Sequence, residues 1–517
     1  MITRILRHYS TLLCVSISMI IGASVMAQEE GVKKRPEGVP PVVHSARGDS
    51  SAGVKGSLRI RNIGKRQQYS ASQRESYDTD IFSPKSAAFS PDGKSLYINS
   101  LEGCQTVAYA IPSLEKRYVV GYKYESGRGA LWGAPEGIYT FTHYKDGADR
   151  SFGGKPVEMA WSHGGRYLWV PFYRRTFDIN AQDPSAVAVV DAAQGKIIRM
   201  FETGPLPKAV AVSGDDRYVV VTHWGDNTIG FVDISGNDPA KWRTLPPLAI
   251  GKKLTLNYPL DREVNRDTKS GYLLRGTIFT PDNRYVLIAG LAGPLSVVDM
   301  TDRHLVGHIQ ELYGIRHLIV SNGRIYGSRN VAGEVLSFSL EDLLRGISLY
   351  VKGESKSLKV DGDIRRVKVG GGARTIEASP DGKYIFVACN SANALYVVDA
   401  ERMEVADHIR CDSYPVGLAV SPDGRYIAVT SQGRKGYGGN AVNLFEVTRY
   451  DYEPPTPEPI EPDTITSAAP PLPETPAPIE DDRNVWQIMI GVFALIAITL
   501  VAVMIILHRH NRKTKRS

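Results

Sequence analysis

The stretch Pro415-Val416-Gly417-Leu418-Ala419-Val420-Ser421-Pro422-Asp423-Gly424-Arg425-Tyr426-Ile427-Ala428-Val429-Thr430-Ser431 decides the fold. It reads as an apolar strand, a tight turn and a second strand. Pro422 presets φ, Asp423 bonds the backbone of its own turn, and Gly424 accepts φ > 0. The same punctuation recurs at Ser90-Pro91-Asp92-Gly93, Ser162-His163-Gly164-Gly165, Ser213-Gly214-Asp215-Asp216, Thr280-Pro281-Asp282-Asn283, Ser321-Asn322-Gly323 and Ser379-Pro380-Asp381-Gly382. These seven copies are spaced by 72, 51, 67, 41, 58 and 42 residues, so the minimum unit is about forty residues, with insertions elsewhere.

The sixth unit shows a full cycle, with strands predicted at 375–379, 384–389, 394–399 and 405–410. Four short antiparallel strands, repeated seven times, specify an all-β, seven-bladed β-propeller over residues 57–452. The last unit supplies only three strands, at 418–421, 426–431 and 442–448. An isolated strand at 57–63 precedes the first full unit. It is predicted to pair as the outer strand of the last blade, so that an N-terminal strand closes the ring. Insertions fall at 125–155 and 251–272, each after a fourth strand. A third, at 346–363, precedes a fourth strand, because 364–369 fits that pattern.

These units resemble the YVTN family of β-propeller repeats, akin to surface-layer and lactonase-like propellers. Residues 415–431 carry the likeness, together with Tyr396-Val397-Val398-Asp399-Ala400, and it extends over about 57–450. The resemblance implies the fold and leaves function open, since such propellers serve many roles. Units two and five depart from the turn pattern.

Of the 517 residues, 42% are hydrophobic and 23% charged, with 49 Gly and 31 Pro, which excludes wholesale disorder, collagen and a multi-span transporter. Tyr outnumbers Phe, 26 to 13, as suits strands with one wet face. Net charge is +7, distributed unevenly. Residues 453–484 hold eight acidic groups against Arg483, the last ten residues carry five cations, and Arg4 and Arg7 add two. The folded body is therefore mildly basic, which favours anionic partners. Export argues against nucleic acid. Cys14 leaves with the signal peptide. Cys104, Cys389 and Cys411 are too few for a disulfide framework, with Cys389 and Cys411 either bridged or simply small buried side chains.

Residues 1–27 read as a cleavable signal peptide, with Arg4 and Arg7 before an apolar run and Val25-Met26-Ala27 at the cleavage site. Residues 28–56 read as a flexible N-terminal segment. Residues 453–484, with ten Pro, form a stiff acidic stalk. Residues 485–507 carry no charge over 23 positions, long enough for a transmembrane helix, and 508–517 form a basic cytoplasmic tail. The expected location is the bacterial cell envelope, as a single-pass membrane protein with the propeller outside. Leu472-Pro473-Glu474-Thr475-Pro476 resembles a cell-wall sorting signal but has Pro476 where the transpeptidase needs Gly.

Counting five residues back from each turn Ser or Thr reaches Lys85, Val157, Lys208, Arg275, Arg316, Arg374 and Val416. Five of the seven are basic, where 62 Lys and Arg in 517 residues would place about one by chance. Repeat geometry sets these positions around the channel mouth, where like charges are costly unless solvated, paired with acids such as Glu158 and Glu377, or bound to an anion. The ends of the second strands add Arg174, His223, Trp224 and Arg329, types that anchor interfaces or bind carboxylate and phosphate. Lys85, Lys208, Arg275, Arg316, Arg374, Arg174, His223, Trp224 and Arg329 are thus the expected ligand-binding residues.

Catalytic and cofactor signals are thin. His163, His223 and His317 recur near blade ends, but His163 sits in a first-to-second strand turn on the opposite face. His304 and His308 lie four apart on an outer strand and are expected to share a face. No nucleotide loop and no nucleophile elbow is present, and no cofactor or metal is expected. The leading reading is a binding module for a protein, glycan or anionic small molecule. A lactonase-like hydrolase or periplasmic redox-partner propeller, and a structural envelope protein, stand as alternatives.

Overall fold

The computed structural model describes residues 41–54, 57–68, 76–124, 152–176, 178, 180–255, 264–434 and 437–450. The signal peptide, stalk, span and tail expected at 1–27, 453–484, 485–507 and 508–517 lie outside them. Among the described residues no helix is long and apolar enough to cross a membrane.

Seven antiparallel sheets make a propeller. Their inner strands are Pro84–Phe89 in blade 1, Ala160–Ser162 in blade 2, Pro207–Val212 in blade 3, Leu274–Phe279 in blade 4, His317–Ser321 in blade 5, Ala373–Ala378 in blade 6 and Pro415–Val420 in blade 7. Blade 6 continues through Tyr384–Cys389, Ala394–Asp399 and Glu404–Arg410, within two residues of the sequence expectation throughout. The turn chemistry is also as expected. Ser421 Oγ donates to Asp423 (2.6 Å) and accepts the Tyr426 N–H (2.8 Å), while Gly424 takes φ 71°. Ser90, Ser213, Thr280 and Ser379 repeat the relay.

Second strands show why blades need one another. All six residues of Tyr384–Cys389 are buried. Because successive side chains point to opposite faces, Tyr384, Phe386 and Ala388 enter the core shared with blade 7, and Ile385, Val387 and Cys389 enter the core shared with blade 5. Such clusters fill all seven gaps between consecutive blades.

The ring closes through the N-terminal strand. Leu58–Gln67 pairs antiparallel with Ala441–Arg449 as the outer strand of blade 7, with a bulge between Asn62 and Gly64. Leu58 and Ile60 are 0% exposed. The preceding segment, expected to be flexible, is docked where it is described. Val43 N–H donates to Ser413 Oγ (2.7 Å), Asn62 Nδ2 to Ser45 Oγ (2.8 Å) and Gly53 N–H to Asp407 (3.0 Å).

Two further features depart from expectation. The third insertion holds a helix, Leu340–Val351, between the third strand of blade 5 and its outer strand Arg365–Lys368. Ser339 caps it, and Leu340, Leu343, Leu344 and Ile347 recur at helical spacing to pack on blades 4 and 5. On the outer strand His304–Tyr313 a bulge between the Leu305 and Gly307 pairings puts His304 opposite Asp299 and His308 opposite Ser296. Those partners are three apart, so the two histidines face opposite ways rather than sharing a face. Cys389 and Cys411, by contrast, agree with the simpler of the two readings, as small buried free thiols rather than a bridge.

A basic chamber at the channel mouth as the candidate functional site

The offset read from the turns does bring the cations together. Lys208, Arg275, Arg316 and Arg374 line one cavity of about 80 Å³, with Glu158, Thr277 and His317. Lys85 does not line it but lies close enough for Arg374, Arg275, Arg316 and Lys208 each to push its pKa down, after burial itself.

Four ring positions are held by the blade before them. Thr430 Oγ1 donates to the Lys85 carbonyl (3.3 Å), Asn99 Nδ2 to that of Glu158 (3.1 Å), Thr222 Oγ1 to that of Arg275 (3.0 Å) and Ser328 Oγ to that of Arg374 (2.5 Å). A polar residue near the end of each of these second strands thus clamps the next blade's ring position, at about 1 kcal/mol per bond. The clamp also identifies blade 2's true member. It is Glu158, not Val157, which is 2% exposed and bonds the Pro171 carbonyl through its N–H. The ring therefore contains a carboxylate. Turn counting missed it by one residue, because in blade 2 the strand Phe152–Pro156 runs into the ring and pairs with Tyr167–Arg175.

These side chains are not solvated spokes. Lys208, Arg316 and Arg374 are 7%, 8% and 8% exposed. Lys208 alone reaches a carboxylate, Asp267 at 3.7 Å; Lys85, Arg275, Arg316 and Arg374 make no ion pair among the described residues. Burial, then Arg374, pull Arg275 down to about 10, against Glu158, Tyr173 and Asp267. Burial also pulls Arg316, Arg374 and Lys208 down. Glu158 is pushed up by burial, opposed by the cations. Deeper in the channel, Glu377 is pushed up to about 8 by burial and by Glu158.

On one side aromatic rings replace acids. The Lys208 ammonium lies 3.6 Å from the Tyr173 ring centroid and 4.7 Å from that of Trp224, over which Arg275 also lies at 4.7 Å. The second insertion completes this wall. Trp224 Nε1 donates to the Arg266 carbonyl (3.1 Å), and Asp267 accepts from Tyr173 Oη and faces Arg174 at 3.5 Å. Asp267 had no periodic signal in the sequence.

Two expected residues are elsewhere. His223 is 0% exposed within blade 3, its ring bonding Thr228 Oγ1 (2.8 Å) and the Gly204 N–H (3.2 Å), and burial pushes its pKa down to about 3. It lies at the end of a second strand, but the strand's alternation turns it inward. Arg329 donates to Glu334 (2.6 Å), which Lys368 also reaches at 3.0 Å, so its charge is spent within blade 5.

No family model matches the chain. It is 26% identical over 192 residues to Antigen Lp49 of Leptospira interrogans, a match covering 32% of this chain and 38% of that protein's length. Among solved structures it is similar to Kuenenia stuttgartiensis hydrazine synthase, at 14% identity and TM-score 0.48, covering 73% of this chain and 99% of the other. The β-propeller domain of Myceliophteria thermophila Cps50 (Swd1) gives the same identity and TM-score over 71% and 97%.

Proposed function

We propose that the chain is an exported, membrane-anchored propeller of YVTN type whose task is to bind a small oxyanion at the mouth of its channel. One observation carries this. Cations from blades 3, 4, 5 and 6 surround a single cavity, three of them buried and Arg275 half-buried, with Glu158 as its one carboxylate among the lining residues. Burying unpaired like charges is costly, and a ligand of opposite sign removes the cost. A cavity of 80 Å³ holds roughly five to eight water-sized groups, so a small ion fits better than a glycan.

The test is titration of the purified chain with phosphate, sulfate and acetate by calorimetry. A charge-assisted contact is worth about 1.5–3 kcal/mol, so Arg275→Ala should weaken the best of these anions about ten- to hundred-fold. Affinity should fall as salt rises. Lys123→Ala, at an exposed position on the strand Lys123–Tyr124 outside the ring, should bind as wild type. Absence of binding by every anion, or equal losses in both variants, would refute the reading. The anchor is tested separately by protease added outside spheroplasts, which should cut within 453–484 and release the propeller; a protected propeller with a cut tail refutes it.

A further inference from the structure

Two hydrogen-bond acceptors line the basic chamber without partners. Glu158 has its backbone carbonyl clamped by Asn99, while its carboxylate makes no ion pair or hydrogen bond among the described residues. The His317 ring donates to the Ile376 carbonyl, and its Nδ1 is buried without a partner. Burial and Arg316 push this imidazole down to about 4, so it is neutral at physiological pH and Nδ1 presents a lone pair. The same cavity holds donors without acceptors, among them Arg275 Nε.

A fully deprotonated oxyanion satisfies only half of this set. Its oxygens accept from Arg275, Arg316 and Arg374 but set lone pair against lone pair at Glu158. An oxyanion that keeps one proton meets both: its bare oxygens face the cations, and its single O–H donates to the carboxylate, the charged one of the two acceptors. We propose that Glu158 makes the chamber selective for inorganic hydrogen phosphate over sulfate and over phosphomonoesters. The proposal rests on the anion-binding reading above and goes beyond it by naming the ion. Sulfate carries no proton at neutral pH. A phosphomonoester, with its second pKa of about 6, carries none at pH 7.5. Hydrogen phosphate keeps its last proton there.

An acceptor left facing an acceptor inside the chamber is a strong discriminator, because a site built to bond an O–H rejects the analogue lacking it by far more than apolar contacts can. The experiment is calorimetric titration of the purified full chain at pH 7.5 with sodium phosphate, sodium sulfate and glycerol 3-phosphate, on wild type and Glu158→Gln. Wild type should bind phosphate at least about 100-fold more tightly than sulfate or the monoester. In Glu158→Gln the amide donates to sulfate, and the ratio should fall to within about tenfold, chiefly through tighter sulfate binding.

Wild-type sulfate affinity within tenfold of phosphate overturns the proposal while leaving anion binding intact. So does an unchanged ratio in a folded Glu158→Gln. Binding of none of the three ions removes the anion reading and this proposal with it. If the variant does not fold, the wild-type ratio decides alone.

Discussion

A ring of buried cations built to meet an anion should destabilise the protein that lacks one. Arg275→Met tests this. The substitution keeps an unbranched apolar chain over the Trp224 ring and removes the charge. Arg275 falls from 12.5 to about 10 in the folded protein; at about 1.4 kcal/mol per unit this is about 3 kcal/mol against folding with the group charged. The cation lying over Trp224 returns about 0.5–2 kcal/mol of that. The expected net gain for Arg275→Met is therefore about 1–2 kcal/mol in anion-free buffer. The penalty holds wherever the arginine is charged, below about 10, so pH 7 is a fair condition. With an unfolding entropy of about 2.1 cal/mol/K per residue over roughly 390 propeller residues, the melting temperature should rise by about 1–3 °C.

The assay is scanning calorimetry of both proteins in a low-salt zwitterionic buffer, repeated with phosphate. A ligand at 100 times its Kd stabilises the native state by about 2.7 kcal/mol, and only wild type should gain that much. The two melting temperatures should therefore change order when phosphate is added. An Arg275→Met protein that melts lower in both buffers, by the same margin, would show that Arg275 is an ordinary packing residue and that the ring carries no stored repulsion.

Truncation through Gln67 removes the strand that completes blade 7. It should leave an unpaired edge and give aggregation or a fall in melting temperature of more than about 10 °C, whereas unchanged melting would mean the ring closes otherwise. Glu377 ionises at about 8 in the folded protein and near 4.5 when unfolded, so its contribution to stability is lost as pH rises through that window. His223 and His317, pushed down to about 3 and 4, act oppositely but only below about 6.5. Wild-type melting should thus fall by about 2 °C between pH 6.5 and 8, and Glu377→Gln should flatten that slope in calorimetry; parallel slopes exclude the assignment. Asp267 competes for Lys208 and Arg174, so Asp267→Asn should tighten phosphate binding about threefold by titration, and weaker binding would make it part of the ligand shell instead.

What could be read from the chain follows from what repeats. The turn needs Ser or Thr, Asp and a residue tolerant of φ > 0 because one hydroxyl relays between a carboxylate and a backbone N–H. That chemistry fixes five of the seven turns, and the turns at Ser162 and Ser321 keep their place in the repeat without the Asp; each turn fixes its inner strand, and a fixed offset reaches Lys208, Arg275, Arg316 and Arg374. Reading failed where repetition failed. In blade 2 the extra strand moved the ring position from Val157 to Glu158. Asp267 and the helix Leu340–Val351 lie in insertions with no second copy to compare. His223 was misplaced because a position near a strand end does not say which face the side chain takes, and Arg329 because its partner Glu334 lies across a hairpin.

The separation of fold from site explains why the architecture is plain and the ligand is legible only as a class. Seven apolar clusters between blades hold the ring together, and none contains Lys85, Glu158, Lys208, Arg275, Arg316 or Arg374. Clamps from the preceding blades grip backbone carbonyls of ring residues, which any side chain leaves in place. The chamber can therefore change its charges without changing its frame. The repeat thus says where ligand-facing side chains stand, and only their identities say what they meet. Here five are cations, and the sixth, Glu158, faces the same space with its acceptors unused. Stability does not favour such a set, which is why we propose a bound anion as its physical reason and the lone carboxylate as what narrows the choice among anions.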